Sequence, residues 1–192
     1  MVYTEQEFLR KSERERIMLD LLFAKIYNKG KTQDNIYHTP ADGKDEYDSV
    51  VCRFLNGIIS KNHIWEAKIR DANYSDILFE KKKYQSLKKV AERYNGAECD
   101  IFYVSTHPDG TYVFNITEIE KAGKIEWVKQ EHNKSTVMKH LGKIMKDIIY
   151  LPIDLAKKVD IKVSDIDRVE NEKKEKSLPK KKKSGFDLDN LY

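Results

Sequence analysis

Cysteine is scarce in this chain: Cys52 and Cys99 are its two thiols, each in or beside an apolar run, with no C-x-x-C pair and no Cys/His zinc spacing. The sequence therefore offers neither a disulfide framework nor a structural zinc site, and reduced thiols in a cytoplasmic setting are expected. Long apolar runs are lacking too. No stretch approaches the roughly 20 residues needed to span a bilayer, and the N-terminus turns charged soon after Met1, so a soluble, intracellular protein without a signal peptide is expected, with no membrane partner. Proline and glycine are sparse, four and eight residues, which makes each cluster of them informative as punctuation. Neither sign of charge dominates: the net charge is +4. Composition thus does not announce a nucleic-acid partner, although basic residues become dense after Lys134.

With 192 residues there is room for one compact domain and a tail. Thr4 and Glu7 have capping-box spacing, and the charged run that follows passes into Ile17, Met18, Leu19, Leu21, Leu22, Ala24 and Ile26, which predicts a helix over 5–28 closed at Gly30. Residues 31–44, with Pro40 and Gly43 among polar residues, read as a loop. Asn56-Gly57 separates two extended runs, 48–55 and 58–70, and predicts a hairpin. A helical spacing of apolar residues covers 76–95, from Ile77 through Tyr94, ending at Asn95-Gly96. Strands follow at 100–106 and 111–116 around the turn His107-Pro-Asp-Gly110, then a helical turn at 117–121 and a short edge strand at 125–128. Residues 135–150 suggest a basic helix with a stripe of Lys139, Lys143 and Lys146. From about Val169 to Lys183 nearly every residue is charged, which predicts disorder. The expected fold is α/β (α+β): a central mixed sheet of four to five strands flanked by helices, with a core domain over 1–150, an extension over 151–168, and a lysine-rich tail over 169–192.

The stretch with chemical content is the hairpin. In a strand, residues two apart share a face, so Glu66 and Lys68 point one way while Trp65 and Ala67 point the other. The position of Asp48 depends on the turn. A strict two-residue loop at Asn56-Gly57 puts Asp48 opposite Trp65, on the wrong face. A three-residue loop Leu55-Asn56-Gly57 with Gly57 left-handed puts it opposite Ile64, diagonal to Glu66, and this second register is the expected one. Two carboxylates, Asp48 and Glu66, with the carbonyl of Ala67 supply hard oxygen ligands suited to Mg2+ or Mn2+. A cation there stabilises charge on a phosphodiester, while Lys68 positions or activates the attacking water or neutralises the developing charge. The bland reading is that Glu66 and Lys68 form an ordinary surface pair.

The order helix, strand with Asp48, turn, strand ending in Glu66-Ala67-Lys68, helix, strand resembles the PD-(D/E)XK nuclease superfamily, over roughly residues 5–116. Tyr47 stands where that pattern has its proline. The resemblance implies a restriction-endonuclease-like fold and a Mg2+-dependent endonuclease or exonuclease that hydrolyses nucleic acid, DNA before RNA. It also implies an acid from the first helix, Glu13 or Glu15, and a residue from the helix after the second motif. Lys83, Tyr84 and Gln85 lie in that region, and Gln85 is the chosen candidate. Resolvase-like members require a homodimer, and small lysine-rich chains of this kind resemble products of phages or mobile elements. The rival reading is a non-catalytic protein on the same fold that binds nucleic acid or an assembly partner.

Lys139, Lys143, Lys146 and the run Lys180 to Lys183 are candidate phosphate contacts, with a solvated face as the equal alternative. His63, His107, His132 and His140 show no zinc spacing and read as surface or turn residues. Trp65 and Trp127 read as core or edge packing. The tip Phe186-Asp-Leu-Asp-Asn-Leu-Tyr192 has the form of a partner-docking segment, though a disordered end is the simpler reading.

Overall fold

The computed structural model describes residues 5–27, 32–40, 46–94, 97–133 and 142–177. Helix α1 spans Glu5–Ile26. Its first half is polar and leaves Phe8 and Leu9 exposed, whereas Ile17, Met18, Leu19, Leu22 and Phe23 are buried. Each such side chain stabilises by about 1.5–3 kcal/mol, so the C-terminal half fastens the helix to the sheet. It packs on Val51, Trp65 and Ala67, and the Phe23 ring meets Trp65 edge-on at 5.2 Å.

Strand β1, Thr32–His38, occupies part of the stretch where the polar composition predicts a loop. Among the described residues it is an edge strand paired only with β2, Ser49–Leu55, so its sequence needs little apolar alternation. Strand β3, Ile58–Ile69, completes the hairpin. The turn itself is a two-residue loop, with Asn56 at φ 53° and Gly57 at φ 78°, the left-handed pair that Asn-Gly favours.

A second difference lies at 76–95. Instead of one helix, strand β4 spans Asp76–Glu80 and runs without a loop into helix α2, Lys81–Arg93. Ile77 and Phe79 are buried with a period of two; Tyr84, Leu87 and Val90 are buried with the helical period. Because the two elements abut, their patterns merge into one apparent helix. Strand β5, Glu98–His107, returns parallel to β3, and strand β6, Gly110–Asn115, pairs with it antiparallel. Helix α3, Ile116–Lys121, is capped by the Asn115 side chain, which accepts from the Glu118 N–H at 3.1 Å. Strand β7 is Val128–Asn133.

The basic helix expected over 135–150 is overturned where the chain is described. Residues 143–152 form strand β8, Lys143–Pro152, which lies between β4 and β7. Ile148, Ile149 and Leu151 are buried there; a short apolar run rich in isoleucine suits a strand as well as a helix, and pairing with β4 decides it. After a single 3-10 turn, β9, Lys157–Val159, joins the edge of β6, and helix α4 spans Val163–Ser177.

Among the described residues the main sheet has six strands, ordered β1-β2-β3-β5-β6-β9, where four to five are expected, and β4-β8-β7 form a second sheet of three. One face of the main sheet is covered by α1 and α4, the other by α2 and the small sheet. Residues 151–168 are thus integral to the core, with Ile161 and Ile166 buried against α1. Disorder from 169 is also corrected as far as Ser177. Glu170 of α4 accepts from Arg10 at 2.8 Å, and Arg14 meets Asp167 at 2.6 Å; partners more than 150 residues away leave no local trace in the sequence.

Candidate active site

The hairpin register is set in two steps. Next to the turn, Leu55 faces Ile58 and Phe54 faces Ile59; beyond it Arg53 faces Lys61, so Ser60 is an extra residue and forms a bulge. The bulge shifts the ladder by one, Ser49 falls opposite Trp65, and Asp48 is therefore brought round to Glu66. The expected three-residue loop is wrong and so is the diagonal placement, yet Asp48 does share the face of Glu66 and Lys68. A two-residue turn plus a bulge achieves what the longer loop was expected to do.

Asp48 continues the ladder, its N–H donating to the Trp65 carbonyl at 2.9 Å. Its carboxylate accepts the Ala67 N–H at 2.6 Å, so Ala67 acts here by aiming Asp48. Glu66 is 1% exposed. Lys68 lies 3.2 Å from one of its oxygens and Lys83, from α2, lies 3.1 Å from the other. Lys68 also donates to Glu15 of α1 at 3.4 Å. Acids from α1, from β3 and from the approach to β2 thus surround one ammonium, at the end of the sheet where the helices of both faces reach.

Their electrostatics follow from burial. Withdrawal from water pushes the Asp48 carboxyl up to about 7, with the charges of Glu66 and Glu15 adding to the effect and Lys68 and the Ala67 N–H opposing it. Burial raises Glu15 as well. Burial alone would lower Lys68, but Glu66, Glu15 and Asp48 more than offset it, and its pKa is raised. Lys68 is protonated at neutral pH.

Of the two first-helix acids, Glu15 reaches the cluster, whereas Glu13 lines a hollow with Leu9, Arg16, Asp20 and Lys173. Of the α2 candidates, Lys83 reaches Glu66; Gln85 lines a groove of about 500 Å³ with Glu80, Lys82 and Lys146. Positions two apart on a helix face different directions, so the two cannot both serve. Sequence spacing names the region and leaves the choice to geometry.

The remaining candidates fall elsewhere. Lys143 pairs with Glu131 at 3.2 Å, and Lys146 pairs with Glu80 at 2.8 Å with its side chain only 13% exposed; on β8 they form no helical stripe. Lys139, His140, Lys180 to Lys183 and the tip from Phe186 to Tyr192 lie outside the described residues. His63 and His107 are buried, not superficial: His63 Nδ1 meets the Tyr27 hydroxyl at 2.5 Å, and His107 Nε2 meets the Ser105 hydroxyl at 3.0 Å. Burial, with Arg53 nearby, depresses His63 to about 4. Trp65 is core, and Trp127 packs beside Tyr84 at 5.5 Å.

The donor set suits a hard cation, since positive charge relieves the burial and the neighbouring carboxylates that push Asp48 and Glu15 up. Among the described residues no three His, Cys, Asp or Glu side chains already stand in ligating geometry; both Glu66 oxygens are held by lysines. Among the described residues no helix is long and apolar enough to cross a membrane. Comparison with protein-family models, with curated proteins and with solved structures finds no match to this chain.

Proposed function

We propose that this chain is a metal-dependent nuclease that hydrolyses phosphodiester bonds of nucleic acid, DNA before RNA. The observation that carries the reading is the convergence of Asp48, Glu66 and Glu15 around Lys68 at one end of the main sheet. The element order of the main sheet supports it: a helix, three antiparallel strands, a helix and a strand parallel to the third resemble the restriction-endonuclease-like arrangement.

Asp48, Glu66 and the Ala67 carbonyl would hold Mg2+ or Mn2+, with Glu15 as an additional acid. Such a cation supplies charge neutralisation on the phosphodiester and a more acidic bound water. Lys68, kept protonated by the acids around it, orients the attacking water and neutralises charge that develops on the phosphate oxygens. Lys83 brings a second ammonium to the same carboxylate. The Ala67 N–H fixes the Asp48 carboxylate and so preorganises it.

A non-catalytic nucleic-acid-binding role is favoured by one observation, the occupation of both Glu66 oxygens by lysines. Cleavage separates the readings. Plasmid and oligonucleotide substrates are cut with Mg2+ and left intact with EDTA, and Lys68→Ala slows cutting by about 100-fold or more. No metal-dependent cutting by the wild type, or unchanged cutting by Lys68→Ala, overturns the nuclease reading.

A further inference from the structure

Beside the acid cluster lies a cavity of about 200 Å³ lined by Arg70, Tyr74, Asp76, Ile77, Leu78 and Tyr150. Its link to the cluster runs through Arg70 and Tyr103. Arg70 follows the end of β3 two residues after Lys68, and its N–H extends the ladder to the Thr106 carbonyl at 2.8 Å. The guanidinium donates to the Tyr103 hydroxyl at 3.1 Å, and Tyr103 is the β5 partner of Glu66.

Two of the lining residues are tyrosines that stay exposed, Tyr74 at 50% and Tyr150 at 42%. Both are fixed. The Tyr74 ring rests edge-on against buried His107 at 5.8 Å, and the Tyr150 hydroxyl donates to the Gln130 side chain at 3.1 Å. The segment that carries Tyr74 is tied down on both sides, since the Asn73 side chain accepts from the Asp109 N–H at 3.3 Å and the Ser75 carbonyl accepts from the Ile153 N–H at 2.9 Å. Ile77 and Leu78 add apolar surface. Besides the tyrosine hydroxyls, the polar groups are one donor fork, Arg70, and one carboxylate, Asp76, which accepts from the Ser75 hydroxyl at 2.8 Å.

We propose that this cavity is a subsite for one unpaired purine base of the substrate, guanine above adenine, which makes single-stranded or locally unpaired nucleic acid the substrate class. The inference rests on the nucleic-acid reading of the neighbouring cluster. Exposed, preset aromatic rings offer stacking surface to a base, whatever its sequence context. The volume falls below the roughly 300–1,000 Å³ of sites for larger ligands, so it suits a single ring system, and a base pair does not enter. Guanine matches the polar pair: O6 and N7 accept from a guanidinium, while the ring N–H and the exocyclic amine donate to a carboxylate. A phosphate has no use for Asp76.

The test uses the full chain in EDTA, so that binding is read without cleavage. Fluorescence anisotropy compares a short guanine-containing single strand, the same strand with adenine in place of guanine, and a blunt duplex. The wild type binds the guanine strand tightest; Tyr74→Ala and Tyr150→Ala each weaken single-strand binding about tenfold and leave duplex binding unchanged. Tyr74→Phe, which keeps the ring, stays within about twofold of the wild type, and Asp76→Asn abolishes the guanine preference. Equal effects on single strand and duplex, or no effect of either alanine variant, overturn the subsite. A wild type that cuts with Mg2+ but does not prefer the guanine strand overturns the subsite alone; selective binding without cutting overturns the nuclease reading alone. A chain that binds no nucleic acid overturns both.

Discussion

Asp48 carries a cost in the folded chain that the proposed chemistry would explain. Its pKa is about 7, against 3.8 for an unburied carboxyl, because burial and the charges of Glu66 and Glu15 disfavour its ionised form. Between these two pH values the folded chain holds a proton that the unfolded chain has lost, so stability falls as pH rises through that window and the full penalty is present above it. Asparagine keeps an oxygen to accept the Ala67 N–H and cannot ionise. Asp48→Asn is therefore expected to raise the unfolding free energy by about 1–4 kcal/mol at pH 8, since each pH unit between the two values is worth roughly 1.4 kcal/mol, with no gain below pH 3.8. Urea unfolding at both pH values checks this. A variant no more stable than the wild type at pH 8 would show that Asp48 is not held in an unfavourable charge state. The same variant is expected to lose cleavage, stability and function being opposed at this residue.

At the scale of elements, the β2–β3 hairpin shows why the site's location is legible in the sequence while its construction is not. Asn56-Gly57 announces the turn, and the apolar runs announce both strands. The bulge at Ser60 has no signature, since a serine fits either a regular ladder or an extra position. Its Oγ donates to the Arg53 carbonyl at 3.2 Å. Deleting Ser60 removes the bulge and leaves Arg53 opposite Lys61 and Asp48 opposite Glu66. The deletion is expected to change stability by no more than about 1 kcal/mol and to retain metal-dependent cutting, as read by thermal unfolding and plasmid cleavage. A deletion that unfolds the chain or abolishes cutting would place the register under the control of the bulge and not of the buried β3 side chains. β1, β4 and β8 escape a local reading for a related reason: pairing across the sheet, not local propensity, makes them strands.

At the scale of the molecule, the candidate site divides by sequence distance. Asp48, Glu66 and Lys68 lie within one hairpin, where alternation puts Glu66 and Lys68 on one face and the bulge at Ser60 brings Asp48 to it. Glu15 and Lys83 join them only because α1 and α2 cover opposite faces of the sheet and both reach its end, a fact of three-dimensional packing. The charge distribution divides as well. The whole chain carries +4, and residues 178–192, with four lysines and two aspartates, hold half of it. Since α4 ends at Ser177 and its anchors Arg10, Arg14 and Glu170 all precede that point, a chain stopped after Ser177 is expected to fold. Each lysine on a phosphate steepens the dependence of log affinity on log salt by about 0.7–0.9. If Lys180 to Lys183 engage the nucleic-acid backbone, the truncated chain binds with a slope shallower by about 3, while its cutting rate at saturating substrate matches that of the full chain because every member of the acid cluster remains. Binding titrations across a salt series decide it: an unchanged slope shows the lysine run to be a solvated tail, and the basic contacts must then be sought around α2 and Arg70.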